Sequence, residues 1–185
     1  FQMDIIGREL IELVAKSTKM KVNMVELLDE KAVSRIDSMI TSFFVTRHLS
    51  SDVYFRHLTS VVAAIGERGW SVIVGRGAHL ILPRKKTLRL RFIAPKESRI
   101  AYFVETRKLT QAEAKSYVER KDADRKGFIK KYFKADTDDP TGFDMVVNTG
   151  ELGMEGAFNV VAALIRQRIR SEEEGKTMRS PNREK

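Results

Sequence analysis

The chain has 185 residues, 42% of them apolar, no cysteine, and a net charge of +9. That length suits one domain with a packed core, and the apolar fraction excludes a disordered chain. Without cysteine there are no disulfides, thiolate metal sites or cysteine nucleophile. No apolar run approaches the ~20 residues of a membrane-spanning helix.

Neither a leader peptide nor a lipid-anchor motif is visible, so a cytoplasmic protein with no membrane partner is expected. The chain opens on Phe1-Gln2 rather than methionine, and is expected to be a fragment or processed form. The charge is uneven. Residues 84–134 carry 17 bases and 6 acids, a net of +11, whereas residues 135–170 carry a net of −3. Such a stretch implies an anionic partner: nucleotide phosphate, nucleic acid or a membrane surface.

Residues 4–17 read as an amphipathic helix, with Asp4 as N-cap and Ile6, Leu10, Leu13 and Val14 at helical spacing. Residues 22–48 continue helical through Val25, Leu28, Ile36, Ile40, Phe43 and Phe44. Ser50-Ser51-Asp52 caps a third helix closing near Gly69. Trp70 to Val74 reads as a buried strand. Thr87 to Ala94 reads as a half-exposed strand, with Leu88, Leu90 and Phe92 inward and Arg89 and Arg91 outward. Pro95 opens a helix over 96–107. Thr110-Gln-Ala-Glu113 is a capping box that starts a long helix. A loop follows at 136–142, then a strand at 143–148 and a last amphipathic helix at 154–169. Residues 171–185 read as a polar, disordered tail. Strands alternating with helices favour an α/β fold with a parallel sheet. Three clear strands, or four counting a stub at Phe1-Gln2-Met3, are few for so many helices.

Gly75-Arg76-Gly77 follows the strand at 70–74, at the edge where open α/β sheets bind ligands. The glycines allow close backbone approach, and Arg76 offers a planar fork of donors for phosphate. A solvent-facing arginine on a simple turn fits the local sequence equally well. Arg120-Lys-Asp-Ala-Asp-Arg-Lys126 places Asp122 and Arg125 on one helical face. That pattern reads first as a solvated helix with local ion pairs, and second as a basic lid over phosphates. Arg84-Lys-Lys86, Arg89 and Arg91 read as a solvated edge. His48, His57 and His79 have no carboxylates at metal-ligand spacing, so no metal site is expected. Asp144 is expected to order local structure.

Together these segments resemble the cytidylate kinase-like family, a branch of the P-loop nucleoside monophosphate kinases, over residues 3–165. The likeness rests on Asp4-Ile-Ile-Gly-Arg-Glu-Leu-Ile11, Val72-Ile-Val-Gly-Arg-Gly-Ala78, Ile93-Ala-Pro-Lys-Glu-Ser-Arg99, Asp122-Ala-Asp-Arg125 and Phe143-Asp-Met-Val-Val-Asn-Thr149. It implies a three-layer α/β fold on a parallel sheet, with one kinase-like domain over 1–170 and a helical lid over about 110–135. It implies transfer of the γ-phosphoryl group of ATP, with Mg2+, to CMP or a related monophosphate. Arg76, with Gly75 and Gly77, would grip the acceptor phosphate, and Arg56 would assist. Arg125, Asp122 and Arg120 would be the catalytic lid residues, and Arg99 would lie at the nucleotide edge.

Two departures qualify this. No G-x-x-x-x-G-K-[ST] occurs in these residues, so the P-loop strand is expected to be absent and the chain as it stands inactive. Either an N-terminal segment lies outside the sequence or the protein is a degenerate relative. Characterised cytidylate kinases also carry a base-reading aspartate where Gly77 stands, and a lid arginine where Val118 stands, with Arg120 the candidate substitute. Two other readings are a non-catalytic nucleotide- or anion-binding relative and, less favoured, a basic nucleic-acid binder.

Overall fold

The computed structural model describes residues 3–7 and 53–178. The helix expected at 22–48, His48, and the part of the first helix beyond Gly7 lie outside the described residues. Those described belong to two compact units, one within residues 1–87 and 119–142, the other within 88–118 and 143–185.

The first unit opens with strand β1 (Asp4–Ile6), where the spacing predicts a helix. Asp4 is not an N-cap. Two adjacent β-branched isoleucines suit a strand, and β1 pairs in parallel with β2 (Ser71–Ile73) in the register Asp4↔Ser71 to Ile6↔Ile73. Backbone bonds from Asp4 N–H to the Trp70 carbonyl (3.1 Å) and from Val74 N–H to the Ile6 carbonyl (2.9 Å) extend the pairing. The strand at 70–74 is not buried as expected: Val72 is 41% and Val74 58% exposed.

Helix α1 (Val53–Arg68) supplies the core of this unit. Phe55, Leu58, Val62 and Ile65 recur at helical spacing and are all buried. Thr59, also buried, returns its hydroxyl to the Phe55 carbonyl at 2.8 Å, so that hydroxyl is not stranded. The helix stops at Gly69, whose φ of +75° needs no Cβ and whose N–H reaches the Ile65 carbonyl. After the turn at 75–77 comes the single-turn helix α2 (Ala78–Ile81).

In the second unit, β3 (Leu90–Ile93) and β4 (Met145–Asn148) pair in parallel, from Leu90↔Met145 to Ile93↔Asn148. The expected alternation fails here. Arg89 is buried at 8% exposure and Phe92 is 54% exposed. The backbone of Arg89 is clamped to Asp144: its N–H donates to the Asp144 carboxylate at 2.8 Å, and its carbonyl accepts the Asp144 N–H at 2.8 Å. At Phe92, β3 has a strand neighbour on one edge alone among the described residues, which leaves the side chain poorly covered. Asp144 therefore orders local structure, as its sequence suggests.

Helix α3 (Lys96–Arg107) follows Pro95. Helix α4 (Gln111–Phe133) starts at the capping box. Glu113 accepts the Thr110 N–H at 2.8 Å, and Thr110 Oγ1 accepts the Glu113 N–H at 3.3 Å. Ile100, Ala114 and Val118 form a small buried cluster of the second unit, and the Arg107 guanidinium lies 5.3 Å and 5.6 Å from the rings of Phe103 and Tyr117. The last helix, α5 (Thr149–Met178), bends at Gly153 and continues past the expected boundary at 170 into the segment read as disordered. Residues 179–185 lie outside the described residues.

Among the described residues, then, the fold is mixed α/β with two small parallel sheets. No helix among them is long and apolar enough to cross a membrane.

Candidate functional site

The Gly75-Arg76-Gly77 turn leaves β2 at the carboxyl end of a parallel pair. All three residues have positive φ, at 84°, 52° and 70°. Two glycines make that run cheap; Arg76 takes the cost of a left-handed conformation. The turn closes with the Ala78 N–H on the Gly75 carbonyl at 3.2 Å.

The turn is seated against the C-terminal turns of α4. A Cβ on Gly77 would stand 2.4 Å from two ring carbons of Phe133, so a side chain there has no room. Ile129, Tyr132 and Phe133 of α4 are buried in the core that α1 supplies. Phe55 of α1 stacks on Tyr132 at 4.9 Å and meets Phe133 edge-on at 5.1 Å. The helix that the sequence marks as a charged lid thus has its last turns fixed by aromatic packing.

Arg76 lies with its guanidinium carbon 5.4 Å from the centre of the half-buried Phe128 ring, within cation–π range. Its N–H donors make no hydrogen bond or ion pair among the described residues. One turn earlier on α4, Arg125 Nη1 donates to Asp122 Oδ1 at 3.1 Å, and both side chains are solvent-accessible. On a helix, residues three apart share a flank, so Asp122, Arg125 and Phe128 follow one another along one side of α4.

The other sequence candidates are placed as follows. Arg56 is on the exposed side of α1, opposite the buried residues. Arg120 is exposed on α4. Arg99 belongs to the second unit, where its Nε donates to the Ala94 carbonyl at 3.2 Å. Arg84 donates to the Thr141 carbonyl, and Lys86 meets Glu67 at 3.6 Å, so this basic turn is tied to its own unit. Among the described residues, no group of three metal-ligating side chains stands together.

The sequence profile of the cytidylate kinase-like family matches residues 1–151. The chain belongs to this family. No curated protein matches it. Among solved structures, it is similar to an uncharacterized protein from Eubacterium ventriosum, with a TM-score of 0.60, 20% identity, and coverage of 90% of this chain and 99% of that one. At that identity the likeness speaks for the fold. At Gly77 the Phe133 ring and the positive φ together exclude a side chain.

Phe128 and Phe133 escaped the reading of the sequence. Their signal was present as aromatic residues at 128, 132 and 133 inside a basic stretch. Nothing in the sequence tied them to a turn some fifty residues earlier.

Proposed function

We propose that this chain carries the acceptor side of a nucleoside monophosphate kinase, binding CMP or a related monophosphate through Arg76. The observation that carries this reading is the state of that side chain. It sits at the carboxyl end of a parallel strand pair, is half-buried, rests on Phe128, and has N–H donors not committed elsewhere among the described residues. A planar fork of donors of this kind suits a phosphate oxygen pair. Arg125, one helical turn from Phe128, would add positive charge where a phosphoryl group moves, with Asp122 holding it in place and Arg120 contributing from earlier on the same helix. Chemistry of this kind is mainly positioning and charge neutralisation. Gly75 and Gly77 would let the phosphate approach the backbone. Arg56 and Arg99 would contact the acceptor and the nucleotide edge in the roles the family suggests.

On this reading the strand pairs belong to a three-layer kinase-like fold, and ATP with magnesium is the donor. The described residues offer magnesium no carboxylate cluster, and the sequence offers ATP no G-x-x-x-x-G-K-[ST] loop. These residues therefore do not form the donor site, and no step is assigned to it. Exposed apolar residues on both sheets, Val72 at 41% and Phe92 at 54%, are what a further strand or helix would cover. A second reading is a non-catalytic monophosphate-binding relative.

Titration of the protein with CMP, UMP or AMP tests the acceptor site that both readings share, and absence of saturable binding overturns both. Incubation with Mg-ATP of a chain that includes sequence upstream of Phe1 separates the two: diphosphate formation supports the kinase, and monophosphate binding without diphosphate supports the non-catalytic relative.

A further inference from the structure

The Gly-Arg-Gly turn has no rigidity of its own that would aim Arg76. A long side chain on a positive-φ residue between two glycines is free to sweep through many rotamers, at an entropic cost when it binds. Its partner among the described residues is a ring: the guanidinium carbon lies 5.4 Å from the centre of Phe128. That ring is itself held, with Tyr132 at 4.9 Å and Phe133 at 6.2 Å. Phe133 in turn fixes the turn's backbone through the close approach at Gly77. One helix segment thus grips the turn at two points, backbone and side chain.

We propose that Phe128 is a positioning residue, whose ring carries the Arg76 guanidinium and leaves its N–H donors free for an anionic phosphate. This rests on the reading of Arg76 as the acceptor-phosphate ligand. A cation–π contact engages the delocalised charge of the guanidinium and consumes none of its hydrogen-bond donors. Because Phe128 follows Arg125 by one helical turn, the same segment of α4 sets the place of both arginines.

The test uses the full chain, CMP as probe, and the variants R76A, F128L and F128Y, each titrated calorimetrically well below its unfolding midpoint. R76A should abolish saturable binding. F128L should weaken it by about two- to fivefold, the worth of one exposed cation–π contact. F128Y, which keeps a ring, should restore it. Independently, the Arg76 Nε–H resonance, assigned by its loss in R76K, should sit upfield through the ring current of Phe128 in the unsubstituted protein. It should return to the position of an unshielded arginine in F128L. Should R76A bind like the parent, the reading of the site fails and the inference with it. Should R76A lose binding while F128L does not, or should F128Y bind as weakly as F128L, the inference alone fails. An unshifted Arg76 resonance in the parent protein also overturns it, whether or not F128L folds.

Discussion

Gly77 and Phe133 are in such close approach that a methyl group added to Gly77 would overlap the ring, at 2.4 Å from two of its carbons. The contact joins the turn after β2 to the last turn of α4 and decides what residue 77 can be. G77A should destabilise the protein by about 2–4 kcal/mol, from overpacking plus the left-handed backbone. F133L opens space at the ring, so the double variant G77A/F133L should cost less than the two single costs combined, by about 1 kcal/mol. Urea unfolding of the four proteins measures this. Strict additivity would show that the ring does not constrain residue 77.

Asp144 accepts the Arg89 N–H at 2.8 Å and draws the ends of β3 and β4 together. D144A removes the acceptor and should cost about 1–3 kcal/mol. CMP affinity should be unchanged. A D144A protein of parental stability with lost binding would move Asp144 into the functional site.

Glu113 has its carboxyl held below the ordinary 4.5, first by the Thr110 hydroxyl and then by the Thr110 N–H, both of which donate to the ionised form. A group with a folded pKa below its unfolded one stabilises above the unfolded value and loses that contribution as pH falls through the folded one. The capping box should therefore be intact above about 4.5 and should weaken below it. Thermal midpoints of the parent and E113Q, followed from neutral to acid pH, should converge as the acid limb is entered. Parallel curves throughout would contradict the role of the carboxylate.

Arg125 is exposed and paired with Asp122 at 3.1 Å, an arrangement worth little to folding. If diphosphate formation is observed, R125A should lower turnover by about a hundredfold, the scale of a lost transition-state charge contact. The dissociation constant for CMP should change far less. Loss of CMP affinity with turnover intact would contradict the lid assignment.

Much of this was legible in the sequence, for physical reasons. The capping box at Thr110 and Glu113 is a local motif whose two hydrogen bonds depend on neighbours three residues apart. The end of α1 at Gly69 is equally local. Arg76 was legible as a candidate because Gly-Arg-Gly follows a strand, although a simple turn with a solvent-facing arginine fits the local sequence equally well. Two expectations failed, and two residues went unmarked, where long-range contacts decide. Asp4 to Ile6 has helical spacing downstream, but pairing with Ser71 to Ile73 makes it a strand. Arg89 is polar and expected outward, yet its side chain is buried. Phe128 and Phe133 carry no motif at all. Their importance comes from a packing partner some fifty residues away.

The central claim is that the Arg76 guanidinium, resting on Phe128, receives the phosphate of a nucleoside monophosphate. The most direct measurement is calorimetric titration of CMP into the parent protein and R76A, with thermal unfolding of both alongside. The account predicts one saturable site in the parent, none in R76A, and unfolding that differs by no more than about 1 kcal/mol. Equal binding by both proteins would contradict it, as would loss of binding that merely follows unfolding of R76A.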